Sequence, residues 1–317
     1  MTDQAHALRE MIAQARHDAP NAVAAPIAAT NEQSKIGNQQ SPTARTLAIT
    51  SGKGGVGKTT LSVNLAAQLA TMGRRIVLLD ADLGTANADV LCNLTPAGHL
   101  AHVIAGRKSI HQVITPAPGG FHLIPGASGL ATVAALAEHE RQRLLDQLQL
   151  LEQAVDLLLI DTGAGIGPNV LGFLMAVDEV IVVTTPEPTA ITDAYALIKS
   201  LTRQREQVAQ GPSAVRILVN QAASEREARG VYERLAAVCR RFLSFVPRFA
   251  GHVVHDAVVG QAVRQRQLFV LEQPRSAAGL CMHRLAHRID RHAIAPRPSG
   301  SLLHRMTAWL RRGRTGT

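Results

Sequence analysis

The chain has 317 residues, 46% of them apolar but only 3% aromatic, and a formal net charge of +9, which suits one large or two small domains with an aliphatic core. Three scattered cysteines argue against a disulfide framework or a paired-cysteine zinc site, and they favour a reducing, cytoplasmic setting. Since the sequence has neither an apolar run of about 18 residues nor a signal-peptide core, we expect no membrane span and no export.

Residues 1–44 are predicted to lie outside the folded domain. Leu8 and Met11 are spaced as on one helix face, and Asp3 stands where a helix cap would stand. The residues that follow are mostly Ala, Pro, Asn, Gln and Ser, which bury little apolar surface and are expected to form a flexible linker. A helix shorter than about 12 residues is marginal in water, so we expect this one either to fray or to fold on a partner.

Residues 45–292 are predicted to form one α/β domain. Short apolar runs, several rich in β-branched residues, indicate strands buried on both faces of a parallel sheet. These strands are expected at 46–51, 75–80, 121–125, 156–161, 179–185 and 215–221. Segments with helical spacing lie at about 59–72, 131–154, 189–206, 225–241, 256–268 and 276–292. The alternation predicts a doubly wound fold with a mainly parallel sheet.

A glycine-rich loop follows the first predicted strand, and its sequence GKGGVGKTT fits the pattern G-x-x-x-x-G-K-[ST]. Such a loop turns backbone N–H groups towards phosphates, and the following helix adds its positive end. Lys58 is expected to bridge the β and γ phosphates of ATP and Thr59 to hold Mg²⁺, whereas the simpler alternative is a glycine turn before a helix. The predicted nucleotide-binding residues here are Gly52, Gly54, Gly55, Val56, Gly57, Lys58, Thr59 and Thr60.

Lys53 lies too early in this loop to be the ordinary phosphate lysine. The pattern K-G-G-x-G-K-[ST] resembles the deviant Walker A motif of the MinD/ParA ATPases, and the resemblance covers residues 45 to about 292. It implies a P-loop NTPase fold of the MinD (SIMIBI) type and a slow, Mg²⁺-dependent switch ATPase. In that family the early lysine reaches the phosphates of the other subunit's ATP. The resemblance therefore implies an ATP-dependent homodimer in which Lys53 and Lys58 both serve catalysis.

Polar residues follow several of the predicted strands. Asp80, Asp82 and Asn87 come after the second strand, at the sheet edge where open α/β folds bind ligands, and we count Asn87 among the nucleotide-binding residues. Asp161 ends an apolar run as a Walker B acid does, and it would hold Mg²⁺ through water. The family resemblance implies that Asp82 is the switch I aspartate that orients or activates the attacking water, and that Asn220 reads adenine. Their simpler alternatives are a turn or helix cap and a strand-end turn residue.

Residues outside the P-loop distinguish the branches of this family. The chain lacks the paired or cluster-binding cysteines of the iron–sulfur branches. Its basic excess lies in the tail and not over the domain as in the ParA proteins, so no direct nucleic-acid binding is expected. The segments DADLGTANADVLCNL and TTPEPTAITDAYALIKSL resemble the flagellar-number regulators FlhG, also called FleN. A MinD-like division-site regulator and a non-catalytic adaptor remain the alternatives.

The N-terminal sequence DQAHALR matches the D-Q-A-x-x-L-R signature of the same branch. In that family the helix docks onto FlhF, an SRP-type GTPase, and stimulates GTP hydrolysis. The resemblance implies that Gln4 contributes to the GTPase site while its neighbours seat the helix. The predicted docking residues are Asp3, Gln4, Ala5, Leu8 and Arg9. Flagellar switch proteins and a flagellar transcription activator are further candidate partners.

The C-terminal region combines a linker at 293–300 with a predicted amphipathic helix at 301–317. The last 34 residues hold eight arginines against one aspartate, so +7 of the net charge lies there. One helical face carries five apolar residues bordered by arginines, a pattern typical of a helix on an anionic membrane: Leu302, Leu303, Met306, Trp309 and Leu310. Two tethered helices bind far better than one, so we expect the ATP-bound dimer at the inner face of the cell membrane. The alternative is a helix that packs back onto the domain.

Overall fold

The computed structural model describes residues 44–82, 86–126, 138–208, 211–292 and Arg305, and the structural statements below concern these residues. Their strands are β1 (Arg45–Ser51), β2 (Ile76–Ala81), β3 (Thr115–Pro116), β4 (His122–Ile124), β5 (Leu157–Ala164), β6 (Glu179–Thr184), β7 (Ala214–Ala222) and β8 (Arg248–Val254). They form one sheet in the order β3-β4-β2-β5-β1-β6-β7-β8. Every neighbouring pair is parallel except β3 with β4. The predicted fold class, a doubly wound and mainly parallel sheet, is confirmed.

Helices cover both faces of this sheet. The described helices are α1 (Lys58–Thr71), α2 (Ala88–Leu91), α3 (Leu100–Ile104), α4 (Ile110–Val113), α5 (Glu138–Ala154), α6 (Pro168–Ala176), α7 (Pro188–Val208), α8 (Glu225–Leu243), α9 (Ala257–Gln265), α10 (Phe269–Glu272) and α11 (Ala277–His292). One apolar core lies between the sheet and α3, α5, α6, α7 and α8, and the other lies between the sheet and α1, α10 and α11. Because both faces are covered, every residue of β1, β2 and β6 is buried.

Three departures from the predicted elements have local causes. The edge strand β8 was not predicted, because its sequence RFAGHVV lacks a continuous apolar run. Only two of its seven residues are fully buried. Helix α6 is buried along most of its length, and so its sequence has no polar face to reveal a helical period. The helix predicted at 256–268 ends at Gln265, because Arg266 has a left-handed backbone with φ +54°, and α10 begins only at Phe269.

Charged side chains are buried at the amino ends of three neighbouring strands. Glu179, which begins β6, accepts two bonds from Arg216 of β7, at 3.1 and 3.2 Å, and pairs with Arg45 of β1 at 2.5 Å. Burial raises the pKa of Glu179, but the Arg45 and Arg216 guanidiniums outweigh it and hold that pKa below its ordinary value. This cluster ties the three strands together at the sheet edge away from the P-loop.

Arg305 belongs to the C-terminal region, yet it is buried against the same edge of the sheet. Its guanidinium pairs with Asp178 at 2.8 Å, donates to the carbonyl oxygen of Ala176 at 2.6 Å and donates to the Thr46 hydroxyl at 3.2 Å. Asp178 in turn accepts from the Thr46 N–H at 2.8 Å. One residue of the tail therefore packs back onto the domain, as the alternative to a lipid-bound helix predicts for that residue.

The three cysteines are free thiols, and each is at most 2% exposed. Cys92 follows α2, Cys239 lies in α8 and Cys281 lies in α11. Burial raises the pKa of Cys92 to about 12 and that of Cys239 to about 11. Within the described part of the chain, no helix has the length and apolar character needed to cross a bilayer.

Candidate active site

The P-loop joins β1 to α1 at the carboxyl edge of the sheet, and two glycines allow its shape. Gly55 and Gly57 have left-handed backbones with φ +81° and +84°, where residues with a Cβ are strained. Gly52 allows a close approach instead, since a Cβ there would lie 2.1 Å from the carbonyl oxygen of Asp193 in α7. The glycines therefore set both the curvature of the loop and its contact with the next layer of helices.

Asn220, at the carboxyl end of β7, makes a contact with the P-loop that sequence reasoning missed. Its side-chain Nδ2 is buried and donates to the carbonyl oxygen of Val56 at 2.8 Å. A Cβ at position 57 would lie 2.6 Å from the same nitrogen, so the close approach depends on Gly57. The resemblance assigned Asn220 to adenine alone. Val56 and Asn220 are 164 positions apart in the chain, and the pairing of β6 with both β1 and β7 brings them together.

Lys58 and Asp161 lie side by side at the start of α1 and within β5. Lys58 Nζ is 3.5 Å from Asp161 Oδ1, and both side chains are almost fully buried. The Ser62 hydroxyl donates to the same oxygen at 3.0 Å, which adds a residue absent from the predicted set. Ser62 is four positions after Lys58 on a helix, so helical spacing was the available signal. Burial raises the pKa of Asp161, and the Lys58 ammonium opposes part of that rise.

The residues present fit a divalent cation. Asp161 Oδ2 is buried, and it has no hydrogen-bond partner among the described residues. A buried carboxylate oxygen without a partner is costly unless a cation or water satisfies it. No group of three His, Cys, Asp or Glu side chains in the described residues could hold a metal alone. Mg²⁺ bound by Asp161 and the Thr59 hydroxyl would therefore take further ligands from water and phosphate, as Mg²⁺ commonly does.

Asp82 together with residues 86–88, called the switch I segment here, is held at the end of β2 by hydrogen bonds. The Asp80 carboxylate accepts from the N–H groups of Asp82 at 3.1 Å, Asn87 at 3.1 Å and Ala88 at 3.2 Å. Burial raises the pKa of Asp80 to about 7, with a further contribution from the negative charge of Asp161, although the backbone N–H groups oppose the rise. Sequence reasoning noted Asp80 by position and gave it no role.

Two adjoining cavities meet at the P-loop. The larger, of about 550 Å³, is lined by P-loop residues together with Asp82, Asn87 and Ala164. The smaller, of about 290 Å³, is lined by Asn220 and Gln221 of β7 and by residues of β8 and α9. Gly57 and Thr60 line both cavities. The first has the polar lining that a triphosphate needs, and the second has the apolar walls and amide groups that suit a base.

Lys53 is engaged within its own chain. Its Nζ donates to Glu187 Oε2 at 2.9 Å and to the Thr189 hydroxyl at 3.0 Å, and its side chain is 40% exposed. Both partners lie at the start of α7, within the segment TTPEPTAITDAYALIKSL. The predicted docking residues Asp3, Gln4, Ala5, Leu8 and Arg9, and the apolar tail residues Leu302, Leu303, Met306, Trp309 and Leu310, lie outside the described residues.

Comparisons with known proteins agree with this fold. A family model described as an AAA domain matches residues 44–211. The chain is 42% identical over 256 residues to the antiactivator FleN of Pseudomonas aeruginosa, covering 81% of this chain and 90% of FleN. It is 35% identical over 224 residues to the flagellum site-determining protein YlxH of Helicobacter pylori, covering 70% of this chain and 74% of YlxH.

A solved structure shares the fold at lower identity. The septum site-determining protein MinD of Pyrococcus horikoshii OT3, in complex with Mg-ADP, matches with a TM-score of 0.63 at 23% identity. The match covers 79% of this chain and 98% of that structure. From the deviant P-loop, the sheet order and these relatives together, the chain belongs to the MinD/ParA family of P-loop ATPases, in its FleN (FlhG) branch.

Proposed function

We propose that this chain is an ATP-dependent, dimerising switch ATPase that regulates the number and placement of flagella. The observation that carries the proposal is the single site formed by the P-loop, Asp82 and Asp161, in a chain 42% identical to the antiactivator FleN. The 35% identity to a flagellum site-determining protein supports the same process. A MinD-like division-site role and a purely binding adaptor are the alternatives.

The role of each site residue in ATP hydrolysis follows from its position. The P-loop N–H groups and Lys58 bind and neutralise the phosphates, and Asp82 orients the attacking water in the cavity that it lines. Asp161 and Thr59 would hold Mg²⁺, which offsets the charge on the β and γ phosphates when bound. Lys58 would then exchange part of its contact with Asp161 for phosphate oxygens.

Lys53 couples nucleotide to dimerisation in this proposal. To reach the phosphates of the other subunit, its ammonium leaves Glu187 and Thr189, whose bonds are exposed and therefore weak. The change from an internal partner to a phosphate across the dimer provides the two states that a switch requires.

The Asp82→Ala variant tests the ATPase switch. It lacks the carboxylate that orients water, so we expect hydrolysis to fall about 100-fold or more while ATP binding and dimer formation remain. Gel filtration with ATP and with ADP, alongside phosphate release, measures both properties. Lys58→Ala is the control, since it should lose ATP binding and the dimer together. A wild-type chain that stays monomeric with ATP, or an Asp82→Ala variant that hydrolyses ATP normally, contradicts the proposal.

The N-terminal helix acts, in this proposal, on an FlhF-like SRP-type GTPase. The full-length chain should raise GTP turnover by that partner, and Gln4→Ala should lose most of the increase because it removes the amide assigned to the GTPase site. GTP hydrolysis is measured with each chain and with a peptide of residues 1–20. Arg16→Ala is a matched control outside the D-Q-A-x-x-L-R signature. Equal stimulation by wild type and Gln4→Ala would remove the role assigned to Gln4.

The adaptor role and the division-site role differ from the proposed switch ATPase in the partners and the ATP turnover that they require. An adaptor for a flagellar transcription activator or a flagellar switch protein needs the ATP-bound shape and no turnover, so Asp82→Ala would keep full output. A MinD-like division role would instead require a MinC-type partner. We further propose that the ATP-bound dimer lies peripherally on the anionic inner face of the cell membrane through residues 301–317, which requires Arg305 to leave its buried position.

A further inference from the structure

The side chain of Asp80 has an unusual set of partners. It is 1% exposed, and its two carboxylate oxygens accept three backbone N–H groups, from Asp82, Asn87 and Ala88. Two of these N–H groups, those of Asn87 and Ala88, converge on Oδ2, while Asp82 donates to Oδ1. A carboxylate is the only common side chain that accepts on both oxygens and donates on neither.

These bonds fix two separate stretches of described backbone. Asp82 lies directly after β2, whereas Asn87 and Ala88 lie at the start of α2, so one side chain holds the backbone at both places. Both Asp82 and Asn87 line the larger cavity. A Cβ at Gly163 would lie 3.4 Å from Asp82 Oδ1, so the Asp82 side chain already lies against the carboxyl end of β5.

Gly126 makes a second contact with Asp80 and with the switch I segment. A Cβ at Gly126, just beyond β4, would lie 2.7 Å from the Asp80 carbonyl oxygen and 2.8 Å from the Ala86 Cβ. The backbone at position 126 therefore packs directly against both Asp80 and the switch I segment. This packing constrains the same backbone through steric contact and without any charge.

We propose that Asp80 is a positioning residue for ATP hydrolysis, which holds Asp82 and Asn87 in place across the switch I segment while Gly126 supports that arrangement. The inference rests on the proposed function, since it concerns hydrolysis at this site. Asp80 acts through the backbone of its neighbours, so its loss should disturb the chemical step more than nucleotide binding, which the P-loop provides. A merely structural role would instead lower stability and binding together.

The test compares ATP turnover and ATP affinity in full-length Asp80→Asn. The amide replaces one acceptor oxygen by a donor that faces an N–H group, so we expect kcat to fall about tenfold or more and Kd for ATP to change less than about threefold. Asp89→Asn is the matched control, because it removes one negative charge from α2, and among the described residues the Asp89 carboxylate accepts only from the adjacent Val90 N–H. Thermal unfolding of each variant checks that the fold is intact.

Gly126→Ala repeats the test without a change in charge. Its methyl group would press on Asp80 and Ala86, so the same loss of kcat at nearly unchanged affinity is expected. If Asp80→Asn fails to fold, Gly126→Ala decides the question. Unchanged kcat in a folded Asp80→Asn, or loss of ATP affinity in proportion to kcat, would overturn the positioning role. Wild-type chain that binds ATP without turnover would instead contradict the proposed function itself.

Discussion

At the scale of single residues, Asn220 links the two cavities of the site. Its Nδ2 donates to the carbonyl oxygen of Val56, and its Oδ1 would be the acceptor for the amino group of a bound base. The neighbouring Gln221 has a left-handed backbone with φ +57° and also lines the smaller cavity. Strained residues often occur at ligand sites, where the surrounding structure holds them in place. Asn220 therefore contacts the P-loop and also lines the smaller cavity.

This double role predicts a distinctive loss of binding. Asn220→Ala removes the donor to Val56, so affinity should fall about fivefold or more both for ATP and for inorganic tripolyphosphate, which has no base. Isothermal titration with each ligand in the presence of Mg²⁺ measures the two affinities.

A matched pair of variants separates the P-loop contact from base reading. Asn220→Asp keeps the size of the side chain and removes the donor, so it should weaken tripolyphosphate binding as Asn220→Ala does. Gln221 lines the smaller cavity and is absent from the lining of the larger one, so Gln221→Ala should weaken ATP more than tripolyphosphate. If Asn220→Ala leaves tripolyphosphate affinity unchanged, the bond to Val56 contributes nothing to the phosphate site.

The residues of this site differ in how visible they were in the sequence. Lys53, Lys58 and Thr59 lie within one short motif, and Asp161 ends an apolar run, so local pattern was sufficient to propose them. The roles of Asp80 and Asn220 depend on contacts made through the folded chain. Glu187, which pairs with Lys53, lies 134 positions away, and no spacing rule connects the two.

At the scale of elements, strands with two buried faces were the easiest to predict, because their apolar runs are continuous. The edge strand β8 buries only Ala250 and Val253, three positions apart, and its single glycine interrupts the apolar pattern further. Helix α6 was missed for the opposite reason, since its residues from Val170 to Ala176 are all buried. Burial on every side removes the periodicity on which a helix prediction depends.

The tail is the element whose prediction the structure modifies. Sequence pattern placed Arg305 at the border of a lipid-facing helix, whereas the structure buries it against Asp178, Thr46 and Ala176. Burial of an arginine without its carboxylate partner is strongly unfavourable, and burial of a carboxylate without its arginine is equally so. Membrane binding by residues 301–317, as proposed above, would therefore compete with a specific contact on the domain.

This competition predicts that Arg305→Lys increases membrane binding. Lysine keeps the positive charge but cannot place donors on Asp178, Thr46 and Ala176 at once, so the docked state should weaken. We expect sedimentation of the nucleotide-free chain with anionic phosphatidylglycerol vesicles to rise about threefold or more. Neutral phosphatidylcholine vesicles control for charge.

Two further variants show whether the increase in vesicle binding is specific to Arg305 and depends on the tail. Arg312→Lys changes the same residue type elsewhere in the tail and should leave binding unchanged. Deletion of residues 301–317 should abolish vesicle binding in every background. Equal sedimentation of wild type and Arg305→Lys would mean that the buried contact does not restrain the tail.

At the scale of the whole molecule, the site and the tail contact lie at opposite edges of one sheet. The P-loop, Asp82 and Asn220 follow the carboxyl ends of strands, whereas Arg305 meets residues at the amino ends of β1 and β6. The strands β1 and β6 pair along their length and contribute to both edges. The sequence predicted this layer architecture and the position of the P-loop at the carboxyl edge of the sheet, because both follow from strand order and one motif. It could not predict that a tail arginine would find a buried partner 127 positions earlier.

Because all three cysteines are buried, the rate at which each thiol reacts with a reagent reports local opening of the fold. Cys92 follows the switch I segment, while Cys239 and Cys281 lie in helices on different faces of the sheet. A thiol reagent reaches each sulfur only when its surroundings open, so the rate at each position reports the free energy of that opening. Alkylation of Cys92 with and without nucleotide thus follows motion beside the P-loop, with Cys239 as an internal reference in the same molecule. No labelled position has to be engineered.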